Sequence, residues 1–355
     1  MTYVPVELQS QDSASAEARQ ADDPRAVALV AAAADSIAKL PRRTLRRVMA
    51  AEEARELIGE RVPKVDATAE MMGGGLWLDE ETGQPVLAIF PCLELSVLRA
   101  AVLSSQGAFG QNTPRINMGF SNKSVTFGYR PRKPMMGQEG CVLTAFNRDY
   151  ATTADFLSHY SEVLALQLGA AFPEVEVMGR DVIDRVLPDW RLSKSSLWTS
   201  GVINKESALP YHQDRNNFEA WSVMPVIRRG VTGGFLHIPE YGIAVPARDG
   251  YAVAFYGKGL VHGVTPMKKT KADGYRISIV YYALQGLKDC HTYAEETAYA
   301  RERRSQREDE MIGRAALSAD QRKIPNISSA SGDDGMKMSA KALERAAARR
   351  SKQES

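Results

Sequence analysis

The chain has 355 residues, 44% hydrophobic and 25% charged, enough for one large catalytic domain with appendages. Its formal net charge of +2 excludes a strongly basic nucleic-acid footprint in the total, though not a local basic patch. The three cysteines, Cys92, Cys141 and Cys290, are odd in number and far apart, which excludes a CxxC metal knuckle, predicts no disulfide framework and points to a reducing, cytoplasmic setting.

From the N-terminus, residues 1–22 are polar and small-residue-rich and read as disordered, with neither a basic stretch followed by an apolar run nor a membrane span. A helical segment is expected over residues 23–70. Asp23-Pro24 reads as an N-cap with proline at the first helical position, Val27–Leu40 follows as an alanine-rich helix, and a second helix is expected over Thr44–Gly59. Arg42, Arg43, Arg46 and Arg47 near the second start could meet phosphate or form a solvated face beside Glu52, Glu53 and Glu56. Gly73-Gly74-Gly75 lacks a following Gly-Lys-Ser/Thr and reads as a turn. Strands are expected at Leu87–Phe90 and Ser124–Phe127. A supporting helix is expected over 153–170, where Phe156, Tyr160, Val163, Leu164 and Leu168 recur at helical spacing.

Between Leu197 and Leu284 the chain reads as short strands: Leu197–Ile203, Trp221–Ile227, Gly234–Ile238, Tyr251–Phe255 and Arg276–Tyr282. Glycine-containing turns at Arg229-Gly230, Arg248-Asp249-Gly250 and Ala272-Asp273-Gly274 separate several of them, the texture of an antiparallel sandwich or barrel. Residues 291–355 read as a charged helical and flexible tail, with a linker over 324–337 and a short basic helix over 339–350.

Histidine is scarce, at five residues, so each position is informative. Tyr211-His212-Gln213-Asp214 places an imidazole and a carboxylate two apart, and at a strand end such positions project to the same side. His262 lies 50 positions later, room for about three strands that return the chain beside its start. Two histidines and one carboxylate that leave open positions form the facial triad of non-haem Fe(II) oxygenases. Alone, His-x-Asp is a weak signal and His262 could be a core histidine. The strand Tyr275-Arg276-Ile277-Ser278-Ile279-Val280 adds to it by placing Arg276 and Ser278 on one face and Ile277 and Ile279 on the other. An inward arginine needs an anion: either a protein carboxylate, or a dicarboxylate cosubstrate held by the guanidinium fork with the Ser278 hydroxyl assisting.

The series His-x-Asp, distal His and Arg-x-Ser resembles the 2-oxoglutarate dioxygenases. Leu209-Pro-Tyr-His-Gln-Asp214, Asn217, Gly233-Gly234, Pro239-Glu240-Tyr241, His262-Gly-Val-Thr-Pro266 and Tyr275-Arg-Ile-Ser278 look most like the TET/JBP family, across roughly residues 195–285. Phe127-Gly128-Tyr129-Arg130-Pro131-Arg132 is weakly similar to the segment before the barrel in related members. The resemblance implies a mainly β protein with flanking helices around a double-stranded β-helix (jelly-roll, cupin-like) core, expected here over residues 71–290. It implies His212, Asp214 and His262 as iron ligands, Arg276 and Ser278 as the 2-oxoglutarate anchor, and Asn217, with Asn216 beside it, as a base contact. The cofactors implied are Fe(II), 2-oxoglutarate and O2. The activity implied is oxidation of the 5-methyl group of methylcytosine or thymine in DNA, with succinate and CO2 as coproducts. A second cosubstrate arginine is not placed by the motif; Arg191 is one guess. The cysteine-rich zinc region of animal members is missing from the sequence.

A methyl group inside a duplex cannot reach a buried iron, so the substrate base would be flipped out or single-stranded. Phosphate contacts would come from Arg130, Arg132 and Lys133, and from Lys268, Lys269 and Lys271 in the loop between His262 and Arg276, unless these are solubilising loop charges. Tyr211, Phe218, Trp221 and Tyr256 are either stacking platforms or core. His159 and His237 read as structural, and His291 has no assigned role. Two alternatives stay open: a 2-oxoglutarate-dependent hydroxylase of a protein side chain or small molecule, and a non-catalytic cupin-like binding module. Protein partners are not indicated, and no membrane association is.

Overall fold

The structure, a computed structural model, describes residues 24–110, 113–115, 120–134 and 138–315. The stretches expected as disordered (1–22), linker (324–337) and basic helix (339–350) lie outside them. The chain divides into two units, Met1–Arg301 and Glu302–Ser355. The fold below is that of the first.

Helix α1 (Pro24–Ala38) opens on the expected proline and buries Ala33 and Ile37. The expected helix over Thr44–Gly59 is not one element. Arg42–Leu45 is strand β1, and only Ala51–Glu56 is helical (α2). The reason is tertiary: β1 runs parallel to β2 (Gly75–Asp79), and Leu76 and Glu80 donate their backbone N–H groups to the carbonyls of Pro41 and Leu45. Sheet partners 30 or more residues away therefore outweigh a weak local helical preference. The glycine triplet is a turn, with Gly74 at φ 79° and no room for a Cβ, which would stand 2.8 Å from the Ile89 carbonyl oxygen.

Next come β3 (Pro85–Pro91), α3 (Leu95–Ser104), β4 (Thr113–Arg115), β5 (Phe120–Arg130), β6 (Val142–Leu143) and α4 (Ala145–Asp149). The expected long helix is α5 (Ala151–Ala171), followed by an unexpected one, α6 (Pro173–Ile183), whose proline at the first turn and Glu174 and Glu176 suit a helix N-terminus. The remaining strands are β7 (Ser200–Lys205), β8 (Ser222–Arg229), β9 (Val231–Gly233), β10 (Leu236–Ile238), β11 (Ile243–Val245), β12 (Tyr251–Phe255), β13 (Gly263–Val264), β14 (Met267–Lys269) and β15 (Tyr275–Tyr282). Helix α7 (Tyr293–Ala315) begins the charged tail.

The large sheet has the order β1-β2-β3-β12-β8-β15-β7-β5-β4, with β6 also on β5. A smaller sheet has the order β11-β10-β13, and an antiparallel bridge between His212 and His262 extends it on the β13 side. Within the stretch from β7 onward, the chain passes back and forth between the two sheets, with β7, β8, β12 and β15 in the large one and the His212 segment, the consecutive pair β10 and β11, and β13 in the small one. That winding is a double-stranded β-helix, as expected.

Side-chain alternation separates two cores. On one face of the large sheet, Phe90, Ile203, Val223, Ile227, Ile277, Ile279 and Tyr281 pack against Leu157, Tyr160, Leu164 and Leu168 of α5. On the other, Leu87, Ile89, Met224, Val226, Val253 and Phe255 meet Leu236, Ile238, Ile243 and Val245 of the small sheet. Truncating a fully buried leucine such as Leu157 would cost about 2–5 kcal/mol.

The cysteine spacing misleads. Cys141 and Cys290, 149 positions apart, form a disulfide with a Cα–Cα distance of 6.2 Å, while Cys92 is free and buried. Sequence separation says nothing about the distance between two chain segments once β5, β6 and the chain after β15 pack together.

Candidate metal centre and anion pocket

His212 lies on the chain leaving β7, and His262 on the chain entering β13. The two exchange backbone hydrogen bonds, His212 N–H to His262 O at 2.8 Å and the reverse at 3.0 Å. Asp214 is fixed next to them by its N–H to the Gly257 carbonyl at 3.0 Å. Gly257 has to be small: a Cβ there would stand 2.6 Å from Asp214 Oδ2. The segment before His212 is pinned from outside as well, because Gly59 N–H donates to Tyr211 O and Tyr211 N–H to Glu60 O, at 2.8 and 3.0 Å.

Both imidazoles are oriented alike. His212 Nδ1 lies 2.8 Å from Pro210 O and His262 Nδ1 lies 2.9 Å from Leu260 O. A carbonyl only accepts, so each Nδ1 carries the proton and each Nε2 keeps its lone pair. His212 Nε2 and His262 Nε2 are each 3.9 Å from an oxygen of Asp214, and one ligand atom from each of the three residues falls within 4.8 Å of the others. Burial, aided by the neighbouring His212, pushes the His262 pKa down to about 4 against the opposing pull of Asp214 and the Leu260 carbonyl. Its imidazole is thus neutral at physiological pH, the form that binds metal. Nitrogen and carboxylate donors in this set suit Fe(II), Mn(II) or Zn(II) over calcium or magnesium.

Arg276 and Ser278 point from β15 into the space between the sheets, opposite to Ile277 and Ile279, as the alternation predicted. Arg276 is 1% exposed, yet its only side-chain hydrogen bond among the described residues is to Ser278 Oγ at 3.4 Å. Its Nε and Nη2 are buried without a partner, and no carboxylate of the described residues forms an ion pair with it. Burial and the charge of Arg228 push its pKa down to about 9. Among the described residues, therefore, no carboxylate balances this guanidinium. An uncompensated buried cation costs several kcal/mol, so this position suits an anionic ligand that would supply the missing acceptors.

The other expected residues are distributed unevenly. Asn217 is buried in the turn after Asp214, to whose carbonyl its N–H donates at 3.0 Å, and its backbone bridges to Leu284. Arg191, the guess for a second cosubstrate arginine, donates to Val186 O at 2.9 Å and to Asp184 at 3.2 Å. Arg132 pairs with the buried Glu296 and faces the Tyr299 ring, Arg130 is half-buried at the end of β5, and Lys133 is exposed. Lys268 is exposed on β14, and Lys269 beside it forms an ion pair with Glu206 at 2.8 Å. Tyr211, Phe218 and Trp221 are core residues and Tyr256 is partly buried. His237 accepts or donates a 2.8 Å bond with the Tyr211 hydroxyl, and His159 is exposed on α5.

Sequence reading missed Arg228. It stands opposite Arg276 across the β8–β15 pair, on the same face as Met224 and Val226. Extending the period-two alternation of β8 by one residue pair would have found it.

No family model matches the chain, and no curated protein matches it. Among solved structures, that of NgTET1 in complex with 5mC DNA is similar at a TM-score of 0.50 and 13% identity, covering 75% of this chain and 91% of that one. OsALKBH1 is matched at a TM-score of 0.31 and 14% identity over 56% of this chain and 98% of its own. EvdMO1 is matched at 0.33 and 16%, over 56% and 47%. The first of these is a likeness of fold across the double-stranded β-helix and its flanking elements.

Proposed function

We propose that the protein is an Fe(II)- and 2-oxoglutarate-dependent dioxygenase that hydroxylates the 5-methyl group of a pyrimidine in DNA. The observation that carries the cosubstrate is Arg276, a buried guanidinium with two unpartnered nitrogens inside the barrel that also holds the His212–Asp214–His262 cluster. His212 and His262 would hold the metal through Nε2 and Asp214 through a carboxylate oxygen. Arg276, with Ser278, would take the distal carboxylate of 2-oxoglutarate. Together, iron and cosubstrate would supply a two-electron oxidation of C–H to C–OH, with 2-oxoglutarate and O2 converted to succinate and CO2. The chain's own part is to fix both imidazole tautomers through the Pro210 and Leu260 carbonyls and to keep water out with Phe255, whose ring meets His262 edge-on at 4.9 Å.

A 5-methylpyrimidine in DNA is supported by the local motif pattern around His212 and by the fold shared with NgTET1, the structure of which contains 5mC DNA. Asn217, in the turn after Asp214, would lie beside a flipped base, and Lys268 and Lys269 would meet phosphates. The deciding experiment is anaerobic reconstitution with Fe(II) and 2-oxoglutarate, then aeration with methylcytosine- or thymine-containing DNA, with nucleosides read by mass spectrometry. A hydroxymethyl nucleoside formed by the wild type and not by His212→Ala is the expected result. Succinate without modified DNA would redirect the substrate to a protein or small molecule, and no succinate at all would end the dioxygenase reading.

A further inference from the structure

Arg228 and Arg276 are register partners, and directly opposed residues of an antiparallel pair share a face, so both guanidiniums enter the space between the sheets. Arg228 is well held. Its Nη2 donates to the carbonyls of Val231 and Gly233 at 2.6 and 2.9 Å, and its Nη1 approaches those of Pro246 and Ala247 at 3.4 Å each. The guanidinium also lies 5.8 Å from the centre of the Phe235 ring.

None of these acceptors carries a net charge. Asp249 accepts the backbone N–H of Arg228 at 2.7 Å, but its two oxygens take the guanidinium of Arg99 at 3.0 and 2.9 Å. Arg228 is therefore satisfied in hydrogen bonds at both Nη groups and only partly balanced in charge, since Asp249, which attracts it, is shared with Arg99. Its neighbour Arg276 is satisfied in neither respect, and the repulsion between them is one reason the Arg276 pKa is depressed. The carbonyls of Val231 and Gly233 that hold Arg228 belong to β9, and those of Pro246 and Ala247 follow β11. Gly234, the residue after β9, lies so close over Arg276 that a Cβ would stand 2.7 Å from its Cδ. Arg228 thus fixes the chain that packs over one side of Arg276, and adds a charge beside it.

We propose that Arg228 is a specificity-determining positioning residue, whose only partly balanced charge makes the surroundings of Arg276 select 2-oxo acids bearing a second carboxylate over those that lack it. The proposal rests on the reading of Arg276 as the cosubstrate anchor. Arg228 acts through the field it adds, because both of its Nη groups are already engaged by backbone carbonyls.

The test is calorimetric titration of the full-length protein loaded with Mn(II), using 2-oxoglutarate and 2-oxopentanoate, which differ at the distal carboxylate. Arg228→Gln is expected to weaken 2-oxoglutarate by about tenfold or more while changing 2-oxopentanoate by less than about threefold, with Mn(II) affinity unchanged. Arg228→Lys, which keeps the charge and loses the fork, should stay within about threefold of wild type for 2-oxoglutarate. Equal weakening of both ligands by Arg228→Gln would mean a merely structural role and overturn the proposal, as would no weakening of either. Should the glutamine variant not fold, a loss of tenfold or more in Arg228→Lys overturns it in the same way. A wild type that binds neither ligand removes the anchor reading itself, an outcome distinct from a wild type that binds 2-oxoglutarate and a variant that binds it equally well.

Discussion

Two unpaired nitrogens on a residue with 1% exposure make Arg276 a site where stability and function oppose each other. Replacing it by methionine removes a buried charge and keeps most of the volume, so the unliganded protein should become more stable, on the order of 1–3 kcal/mol. The same variant should lose the stabilisation that 2-oxoglutarate gives the wild type, about 2.7 kcal/mol at a hundredfold excess over Kd. Urea unfolding with and without the ligand reads both. A destabilised Arg276→Met that still gains stability from 2-oxoglutarate would show that another residue holds the anion. At the metal, His212→Ala and His262→Ala should each abolish stoichiometric Fe(II) or Mn(II) binding in equilibrium dialysis, and His212→Ala should leave the unfolding midpoint within a few degrees. His212 is partly exposed, so its truncation opens no large cavity, whereas His262 is buried against Phe255 and its loss should also lower stability.

At the scale of elements, the turn after β12 sets where a ligand stands. Gly257→Ala would push a methyl group against Asp214 Oδ2, and metal affinity should fall by roughly tenfold with little change in stability. Metal titration of the variant measures it, and an unchanged affinity would mean the carboxylate is free to swing. The hairpin between β2 and β3 carries a pH dependence of its own. Burial would raise the Asp79 pKa, but hydrogen bonds from Tyr241, Thr82 and Glu81 outweigh it and hold the carboxyl down at about 2. A depressed carboxyl stabilises the fold fully above its unfolded value of about 3.9 and ceases to do so as pH falls through about 2. Stability should therefore drop by on the order of 2 kcal/mol between pH 4 and 2 from this group, and Asp79→Asn should remove that share of the slope. Comparative acid unfolding of the two proteins would reveal it.

Over the whole molecule, the Cys141–Cys290 disulfide closes a loop of 149 positions around α5, α6 and the barrel strands. Cross-linking so long a loop restricts the unfolded chain, so reduction, or Cys141→Ser, should lower stability by about 2–5 kcal/mol. Unfolding midpoints with and without a reductant test this, with Cys92→Ser as the control that leaves the cross-link intact. Equal midpoints in all three would mean the two thiols do not stay linked in solution.

Much of the candidate site was legible in the chain because its logic is local. His212 and Asp214 share a side by virtue of their i, i+2 spacing, and the alternation of Tyr275–Tyr282 separates Arg276 and Ser278 from Ile277 and Ile279 in any strand. The long apolar period of α5 and the many short strands were equally local signals, and they sufficed for a β sandwich or barrel. The rest depended on which segments become neighbours. Arg42–Leu45 is a strand only because the edge of β2 is there to pair with it. Cys141 meets Cys290, and Arg132 meets Glu296, across more than 140 positions. That His262 returns beside His212, and that no carboxylate of the described residues follows Arg276 into the barrel, are facts about distance. Periodicity fixes which way a side chain points along its own element, whereas only the packed chain decides what stands opposite it.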